Sequence, residues 1–182
     1  MVSKVKLIDN ILPKEINNHI LGQLFNSRNW GIAYDKPDFI ERMILDNQPN
    51  EGFNILSYDN VKNIKLNTPL NIYADTILYK VKEILEIDFL EPSRYYWNYY
   101  DNSATTHFHT DESKDYITIL YNLHNNDGGT EIKINNKTKF YKSIESQALI
   151  FPSHFHHRGI VPKENKHRLN LNIIARIKKS YK

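Results

Sequence analysis

Five of the eight histidines lie in two short clusters, one near the middle of the chain and one towards its end. The first cluster contains His107 and His109, and Asp111 follows two residues later. The second cluster comprises His154, His156 and His157. In an extended segment, residues two apart point to the same side, so His109 and Asp111 could converge on one metal ion. A distant histidine would complete a set of two imidazoles and one carboxylate, which leaves three positions of an octahedral metal open.

The chain has no cysteine, which excludes disulfides, thiolate metal sites and cysteine nucleophiles. Histidine, aspartate and glutamate are therefore the only candidate side-chain ligands for a metal. The sequence also contains no paired carboxylates typical of glycosidases, no Gly-rich phosphate loop and no Gly-x-Ser-x-Gly elbow.

Composition and charge place the chain among ordinary soluble globular proteins. Of its 182 residues, 40% are hydrophobic and 25% are charged, and the formal net charge is +3. Lys178 and Lys179 form only a short basic tail, so no nucleic-acid partner is expected. Residues 1–10 lack the apolar stretch of a secretion signal, and no run reaches the ~20 apolar residues of a membrane span. We therefore expect one cytoplasmic domain spanning 1–182, with no membrane partner.

Two helices are predicted in the first half of the chain. The first covers 13–29, where Pro13 suits the first turn and apolar residues recur every four positions. The second covers 68–87, where Thr68 can cap the helix and Pro69 lies in the first turn. Apolar side chains form a stripe along this second helix at Leu70, Tyr73, Ala74, Ile77, Val81, Ile84 and Leu85.

The rest of the chain is predicted to form loops and short strands. Between the helices, many Asn, Asp, Gly and Pro residues indicate loops with strands at 39–45 and 53–58, and 31–52 could be a lid or a plain connection. After Pro92 the apolar period changes from about four to two. The strands predicted there are 95–100, 116–123, 131–134, 139–141, 148–151 and 169–177. Helices first and short strands afterwards predict an α+β, mainly β fold, a sandwich or barrel braced by N-terminal helices.

The last predicted strand has one polar and one apolar face. Arg168, Asn170 and Asn172 alternate with apolar residues at positions 169, 171 and 173. A polar face inside a barrel invites a ligand, and a guanidinium can donate two parallel hydrogen bonds to a carboxylate. Thr118 and Asn122, which alternate on their own strand, could add a hydroxyl and an amide, although both also suit plain strand packing.

Over residues 94–176 the chain resembles the 2-oxoglutarate/Fe(II) oxygenase superfamily, closest in style to its prolyl 4-hydroxylase-like branch. Six features carry the resemblance, in the family's order and spacing. They are Tyr96-Trp97-Asn98, His109-Thr110-Asp111, the apolar strand 117–123, Gly128-Gly129-Thr130-Glu131, the strand Ala148-Leu149-Ile150-Phe151-Pro152, and His157 eleven residues before Arg168. Two positions depart from the family: Ser146-Gln147 replaces the usual glycine, and Asn170 stands where serine or threonine is common.

The resemblance implies a double-stranded β-helix core, a jelly roll of cupin type, over 94–177, with 1–93 as helical and loop support. It implies that Fe(II) is bound by a triad of His109, Asp111 and His157, with no further catalytic residue. We favour His157 over His156 because of its spacing to Arg168 and because the residues after it match the family's pattern. His156 is the main competitor.

The resemblance also implies 2-oxoglutarate as cosubstrate, bound through Arg168, with ascorbate as a further reductant. The other residues assigned to this cosubstrate are Tyr96, Asn98, Thr118 and Asn122. Those assigned to contact substrate are Trp97, Tyr99 and His107. Aromatic strands more often form a core, and an exposed histidine without a role would explain His107 equally well.

The implied activity is hydroxylation of a substrate C–H bond with O2, with succinate and CO2 as coproducts. Prolyl residues of a peptide or protein are the leading substrate, and a free amino acid or other small molecule is the alternative. Asp111 argues against a halogenase, in which a small residue frees a position for halide. A cupin-type metal protein without 2-oxoglutarate would keep the histidines but would not need Arg168. A β-sandwich binding module with incidental histidines would have no tight Fe(II) site.

Overall fold

Two helices and eleven strands make up the regular structure in the part of the chain that the computed structural model describes, residues 2–28, 30–32, 52–66, 68–104 and 106–178. The helices are α1 (Lys14–Phe25) and α2 (Pro69–Ile84). The strands are β1 (Lys6–Ile8), β2 (Gly31–Ile32), β3 (Phe53–Asp59), β4 (Ile64–Lys65), β5 (Phe89–Asp101), β6 (Tyr116–Asn122), β7 (Gly129–Ile134), β8 (Lys137–Lys142), β9 (Ala148–Pro152), β10 (His157–Ile160) and β11 (His167–Lys178). The predicted strand 39–45, most of the predicted lid and Lys179 lie outside the described residues.

The strands form two antiparallel sheets, one large and one small. The large sheet has eight strands in the order β1-β9-β6-β11-β5-β3-β2, with β4 paired to β3. The small sheet has three strands in the order β10-β7-β8. The long strands β5 and β11 pair along their whole length. Because β1 and β3 extend the large sheet on its two sides, the first half of the chain contributes strands as well as helices.

One face of the large sheet packs against the two helices and forms the main core. Alternate residues of β5, β6 and β11 point to this face, and Trp97, Tyr121 and Leu171 are fully buried there. The helices contribute apolar residues spaced three or four apart, namely Ile20, Leu24, Ala74, Ile77 and Val81. This spacing lines one helical face, and that face packs against the sheet.

The opposite face of the large sheet lies against the small sheet. Leu120, Leu149 and Phe151 of the large sheet pack there with Ile132 of the small sheet in a second, smaller core. Beyond this core, the same face carries buried polar residues, namely Thr118, Asn122, Arg168 and Asn170. The space between the sheets is therefore apolar in one part and polar in another, and the polar part contains the candidate site.

Most predicted elements are confirmed near their predicted places. The helices predicted over 13–29 and 68–87 are α1 and α2, and Thr68 Oγ1 accepts a 3.3 Å hydrogen bond from Leu70 N at the start of α2. The strands predicted after Pro92 are all present, although β5 and β11 are longer than predicted. Four strands were not predicted, namely β1, β2, β4 and β10. Each is only two to four residues long and depends on a partner strand, which is β9 for β1, β3 for β2 and β4, and β7 for β10.

The predicted sandwich braced by N-terminal helices is confirmed by this arrangement of sheets and helices. Within the described ranges, neither helix is long and apolar enough to cross a membrane. The single domain over 1–182 and the cytoplasmic location stay predictions.

Candidate metal centre

His109, Asp111 and His157 converge where the segment after β5 meets the start of β10. Their ligand atoms all lie within 4.8 Å of one another. His109 Nε2 is 3.8 Å from Asp111 Oδ1, and His157 Nε2 is 3.4 Å from Asp111 Oδ2. The backbone holds the two histidines together, because they exchange a pair of 2.9 Å N–H···O bonds as an antiparallel bridge. His156 is exposed, and the structure brings His157 rather than His156 to this group.

Hydrogen bonds orient both imidazole rings toward the common centre. His109 Nδ1 lies 3.0 Å from the carbonyl oxygen of His107, and His157 Nδ1 lies 2.9 Å from that of Phe155. A carbonyl oxygen can only accept, so each Nδ1 carries the hydrogen. In the neutral imidazole each Nε2 therefore keeps its lone pair directed at the centre, which is the state in which histidine binds a metal.

The Asp111 carboxylate is buried and is held in its charged form. Thr118 Oγ1 donates a 2.6 Å hydrogen bond to Oδ2, and Ser153 Oγ donates to the same threonine hydroxyl at 2.9 Å. Burial alone raises the pKa of Asp111, but His157, His109 and the Thr118 hydroxyl outweigh burial and hold this pKa well below its usual range. Burial likewise lowers the pKa of His157, but the Asp111 carboxylate outweighs it and raises this pKa.

The donor set fits a divalent first-row metal ion. Two imidazole nitrogens and one carboxylate oxygen face one point, and both histidines present the free lone pair that a metal requires. Three protein ligands leave the remaining positions of an octahedral ion open to other molecules. This facial set of two histidines and one carboxylate is the arrangement typical of non-haem Fe(II) oxygenases.

Arg168 is a buried cation on the same face of the large sheet. The residue is 2% exposed, its Nε donates to Ser143 Oγ at 2.9 Å, and its Nη2 donates to Thr130 Oγ1 at 3.0 Å. The guanidinium carbon lies 5.6 Å from the centre of the Tyr100 ring. Burial lowers the pKa of Arg168 to about 10, so the side chain stays charged at neutral pH. No carboxylate of the described residues pairs with it, and because a buried charge without a counter-ion is costly, this geometry favours a bound anion.

Gly159 connects the buried guanidinium with the metal centre. It stands two residues after His157 on β10, a distance of about 7 Å along a strand. A Cβ atom at Gly159 would lie 3.3 Å from Arg168 Nη1 and 3.7 Å from Thr106 Cγ2. Arg168 and the triad therefore border the same space between the two sheets, and the glycine leaves that space free of a side chain.

Three asparagines continue the polar face beside Arg168. Asn98, Asn170 and Asn122 occupy paired positions on β5, β11 and β6. Asn98 Nδ2 donates to Asn170 Oδ1 at 3.1 Å, and Ser143 Oγ donates to Asn122 Oδ1 at 3.2 Å. Because Ser143 also accepts from Arg168, Asn122 belongs to the hydrogen-bond network of the arginine. The structure thus brings two of the residues predicted to bind cosubstrate, Asn98 and Asn122, to the face that carries Arg168.

Tyr96 lies on this face of β5, nearer the metal centre. Burial raises the pKa of Tyr96, so its phenol stays neutral. The guanidinium carbon of Arg94 lies 5.6 Å from the centre of its ring. Arg94 Nη2 also donates to the carbonyl oxygen of Asp111 at 3.3 Å and lies 3.5 Å from Glu112 Oε1. Arg94 thereby braces the backbone that carries the metal carboxylate, a contact that the sequence did not indicate.

Two of the three predicted substrate contacts point away from the site. Trp97 is fully buried in the main core on the helix side of β5. Tyr99 faces the same side, and its ring stacks on that of His167 with centroids 5.5 Å apart. His107 is exposed, and its carbonyl oxygen accepts the hydrogen bond from His109. The alternation along β5 is the cause, because Tyr96 and Trp97 must point to opposite faces.

The sequence did not indicate three of the small hydroxyl residues that hold the charged groups. Thr130 and Ser143 contact Arg168, and Ser153 supports the Thr118 hydroxyl. The alternation of β7 could have indicated Thr130, which lies two residues before the buried Ile132 and so shares its face. Ser143 and Ser153 follow the ends of their strands, and no local pattern distinguishes them from ordinary turn residues.

No protein-family model and no curated protein sequence matches the chain. Solved structures match most of it at low identity. An oxidoreductase of the 2OG-Fe(II) oxygenase family from Burkholderia pseudomallei has a TM-score of 0.72 at 10% identity, over 96% of this chain and 86% of that chain. A prolyl hydroxylase from Trichoplax adhaerens, in complex with a hypoxia inducible factor oxygen degradation domain peptide fragment, has 0.63 at 16%, over 95% and 83%. HygX from Streptomyces hygroscopicus, with nickel and 2-oxoglutarate bound, has 0.65 at 9%, over 96% and 83%.

These matches show the fold. The large and small antiparallel sheets face each other across the space that contains the triad, with the helices on the outer side of the large sheet. The predicted fold class, a mainly β jelly roll, is confirmed. The chain therefore has the double-stranded β-helix fold of the 2-oxoglutarate/Fe(II) oxygenases.

Proposed function

We propose that this protein is an Fe(II)- and 2-oxoglutarate-dependent dioxygenase that hydroxylates a substrate C–H bond. The observation that carries the proposal is the convergence of His109, Asp111 and His157, with both Nε2 atoms and the carboxylate directed at one point. The fold supports it, because structures with this fold include 2-oxoglutarate-dependent oxygenases and one that holds nickel and 2-oxoglutarate.

Each part of the site has a separate task in this proposal. His109, Asp111 and His157 would hold Fe(II), and Thr118 keeps the carboxylate in place. Arg168 would bind the far carboxylate of 2-oxoglutarate. Bound iron with 2-oxoglutarate and O2 supplies the oxidising power, and succinate and CO2 are the coproducts. The protein supplies the metal ligands and the orientation of the groups between the two sheets.

The buried Arg168 favours a protein that binds an anionic cosubstrate over a metal protein that binds none. Its partners Ser143 and Thr130 are neutral hydroxyls, and no carboxylate within the described ranges neutralises the buried guanidinium, which is costly. A carboxylate placed beside it would supply the missing charge through two parallel hydrogen bonds. Tyr96 and the asparagines Asn98 and Asn122 lie on the same face and would line the rest of the cosubstrate.

The reaction class can be tested by binding. Anaerobic addition of Fe(II) and 2-oxoglutarate should produce a visible charge-transfer band, and its absence in the folded protein would contradict the proposal. Arg168→Gln should weaken 2-oxoglutarate binding about 10- to 100-fold, because a charge-assisted bond is lost, while Fe(II) affinity is kept. Arg176→Gln is the matched control, since Arg176 is exposed on the same strand. A loss of metal affinity in Arg168→Gln would instead indicate general disruption of the site.

For the substrate, we propose prolyl residues in a peptide or protein. Two observations support this substrate. The motifs resemble those of the prolyl 4-hydroxylase-like branch, and the fold matches that of a prolyl hydroxylase in complex with a peptide fragment. Mass spectrometry after turnover should find an added oxygen on proline-containing peptides and not on free amino acids. An added oxygen on a free amino acid alone would contradict the peptide assignment while leaving the reaction class intact.

A further inference from the structure

Phe108 lies on the outer side of the small sheet, directly behind the metal centre. His109 pairs with His157 in an antiparallel bridge, so the preceding Phe108 and the following Arg158 stand opposite each other and point away from the centre. The Phe108 ring centre is 4.7 Å from the guanidinium carbon of Arg158 and 4.1 Å from Lys133 Nζ. Two cations therefore contact one aromatic ring.

Both cations are side chains of residues whose backbone lies next to the His157 ligand. Arg158 is the next residue on β10, and its Nε donates a 2.8 Å hydrogen bond to Glu131 Oε2 on β7. Lys133, also on β7, donates its backbone N–H to the carbonyl oxygen of His156 at 2.8 Å. Glu131 holds the Arg158 side chain, and the strand pairing holds the backbone of Lys133. The ring of Phe108 thus joins the segment of one metal ligand to the strand of another.

His109 is the triad member that depends most on such support. Its side chain is 39% exposed, against 8% for Asp111 and 4% for His157. The segment that carries it lies between β5 and β6 and belongs to neither strand, and both His107 and Thr110 are exposed. Its position therefore depends on the backbone bridge to His157 and on the contacts of neighbouring residues, Phe108 among them.

We propose that Phe108 is a positioning residue for the metal centre, and that its ring, held between Lys133 and Arg158, fixes the segment that carries His109. This proposal rests on the proposed function, because it takes His109 as a metal ligand. A cation is attracted to the face of an aromatic ring, and groups that orient metal ligands change metal affinity by about 10- to 100-fold.

The test is a titration of the protein with Co(II) alone, followed by its visible absorption, without 2-oxoglutarate or substrate. Phe108→Leu keeps an apolar side chain but removes the aromatic face, and we expect about tenfold weaker Co(II) binding. Phe108→Trp keeps the face and should restore binding to within about twofold of wild type. Phe89→Leu is the matched control, because Phe89 also contacts a lysine, Lys178 at 5.4 Å, but in the large sheet.

A second variant separates the cation–ring contact from general packing. Lys133→Met should weaken Co(II) binding about threefold in the wild-type background and have little effect in Phe108→Leu. Urea unfolding of the metal-free variants is measured in parallel. A Phe108→Leu protein with wild-type Co(II) affinity would overturn the proposal, as would equal weakening by leucine and tryptophan. If wild type itself binds no Co(II), the proposed function fails and this proposal with it.

Discussion

At the scale of single residues, the Asp111–His157 pair controls the charge of the metal centre. In the metal-free protein, Asp111 is held as a carboxylate and raises the pKa of His157, although burial alone would lower it. A proton on His157 Nε2 occupies the same lone pair that a metal would use. Proton and metal therefore compete for one atom.

This competition predicts that metal affinity falls with decreasing pH. Above the raised pKa of His157 the affinity should be constant, and below it the affinity should drop by about tenfold per pH unit, since one proton must leave. Titration with Co(II) or Fe(II) between pH 6 and 8.5 measures this dependence. In weak buffer, close to one proton should be released per metal ion at the low end of the range. An affinity that does not change over this range would contradict the prediction.

The Asp111–His157 pair also makes the stability of the metal-free protein depend on pH. Because the folded pKa of His157 is raised above the unfolded value of about 6.5, its ion pair contributes stability that is fully present below that unfolded value. The contribution is lost as pH rises through the folded pKa. The metal-free protein should therefore gain less from this pair at pH 8 than at pH 6, opposite to the trend for metal binding.

At the scale of elements, the alternation of β5 and β11 decides which side chains reach the site. Tyr96 and Asn98 on β5 face the space between the sheets, whereas Trp97 lies in the main core. On β11, Arg168 faces that space and Leu169 packs into the core. The polar and apolar faces predicted for the last strand are therefore observed. The register of β11 with β5 and β6 places the polar residues side by side, so that they form a network.

The start of β11 depends on a neutral histidine. His124 Nε2 accepts a 3.2 Å hydrogen bond from the backbone N–H of Leu169, next to Arg168, and its Nδ1 lies 3.2 Å from the carbonyl oxygen of Asn125. Burial lowers the pKa of His124, and the nearby His167 and Arg168 lower it further. Protonation would place two N–H groups against each other at Leu169.

We therefore expect His124 to destabilise the fold in acid. Its folded pKa lies below the unfolded value of about 6.5, so the unfolded chain binds the proton more readily and stability falls as pH decreases through this region. His124→Gln, whose amide oxygen can still accept from Leu169, should lose less unfolding free energy between pH 7.5 and 5.5 than wild type. His19→Gln is the control, because His19 is an exposed residue of α1. Urea unfolding at the two pH values measures the difference, and an equal loss in wild type and His124→Gln would contradict the prediction.

At the scale of the whole molecule, the site exists only when distant segments are folded together. His109 and Asp111 follow β5, His157 begins β10, and Arg168 lies on β11. The unfolded chain cannot present these groups together, so a metal and an anionic cosubstrate should bind the folded state almost exclusively. Binding is then expected to stabilise the fold by mass action.

Fe(II) with 2-oxoglutarate should raise the melting temperature. At ligand concentrations one hundred times Kd, the stabilisation is about 2.7 kcal/mol, which for a chain of this size corresponds to roughly 5–10 °C. Thermal melting under anaerobic conditions, with and without ligands, measures this shift. Asp111→Ala lacks the carboxylate ligand and should show almost none of it. A similar rise in Asp111→Ala would show that the ligands bind elsewhere.

The sequence by itself determined the features that follow from local spacing. The four-residue period located α1 and α2, and the two-residue period located most strands, because these periods reflect which face of each element is buried. The pair His109 and Asp111 and the alternation around Arg168 could be recognised for the same reason. Short strands such as β1 and β10 could not, since their pairing comes from partners far along the chain.

Only the tertiary structure decided which residues surround the site. His156 and His157 are adjacent in sequence, and it is the bridge between His109 and His157 that brings the latter to the centre. Ser143 reaches Arg168 from twenty-five residues away, and Phe108 meets Lys133 across the small sheet. Such contacts depend on how the two sheets stack. No spacing along the chain encodes them, because they join segments that are distant in sequence and close only after folding.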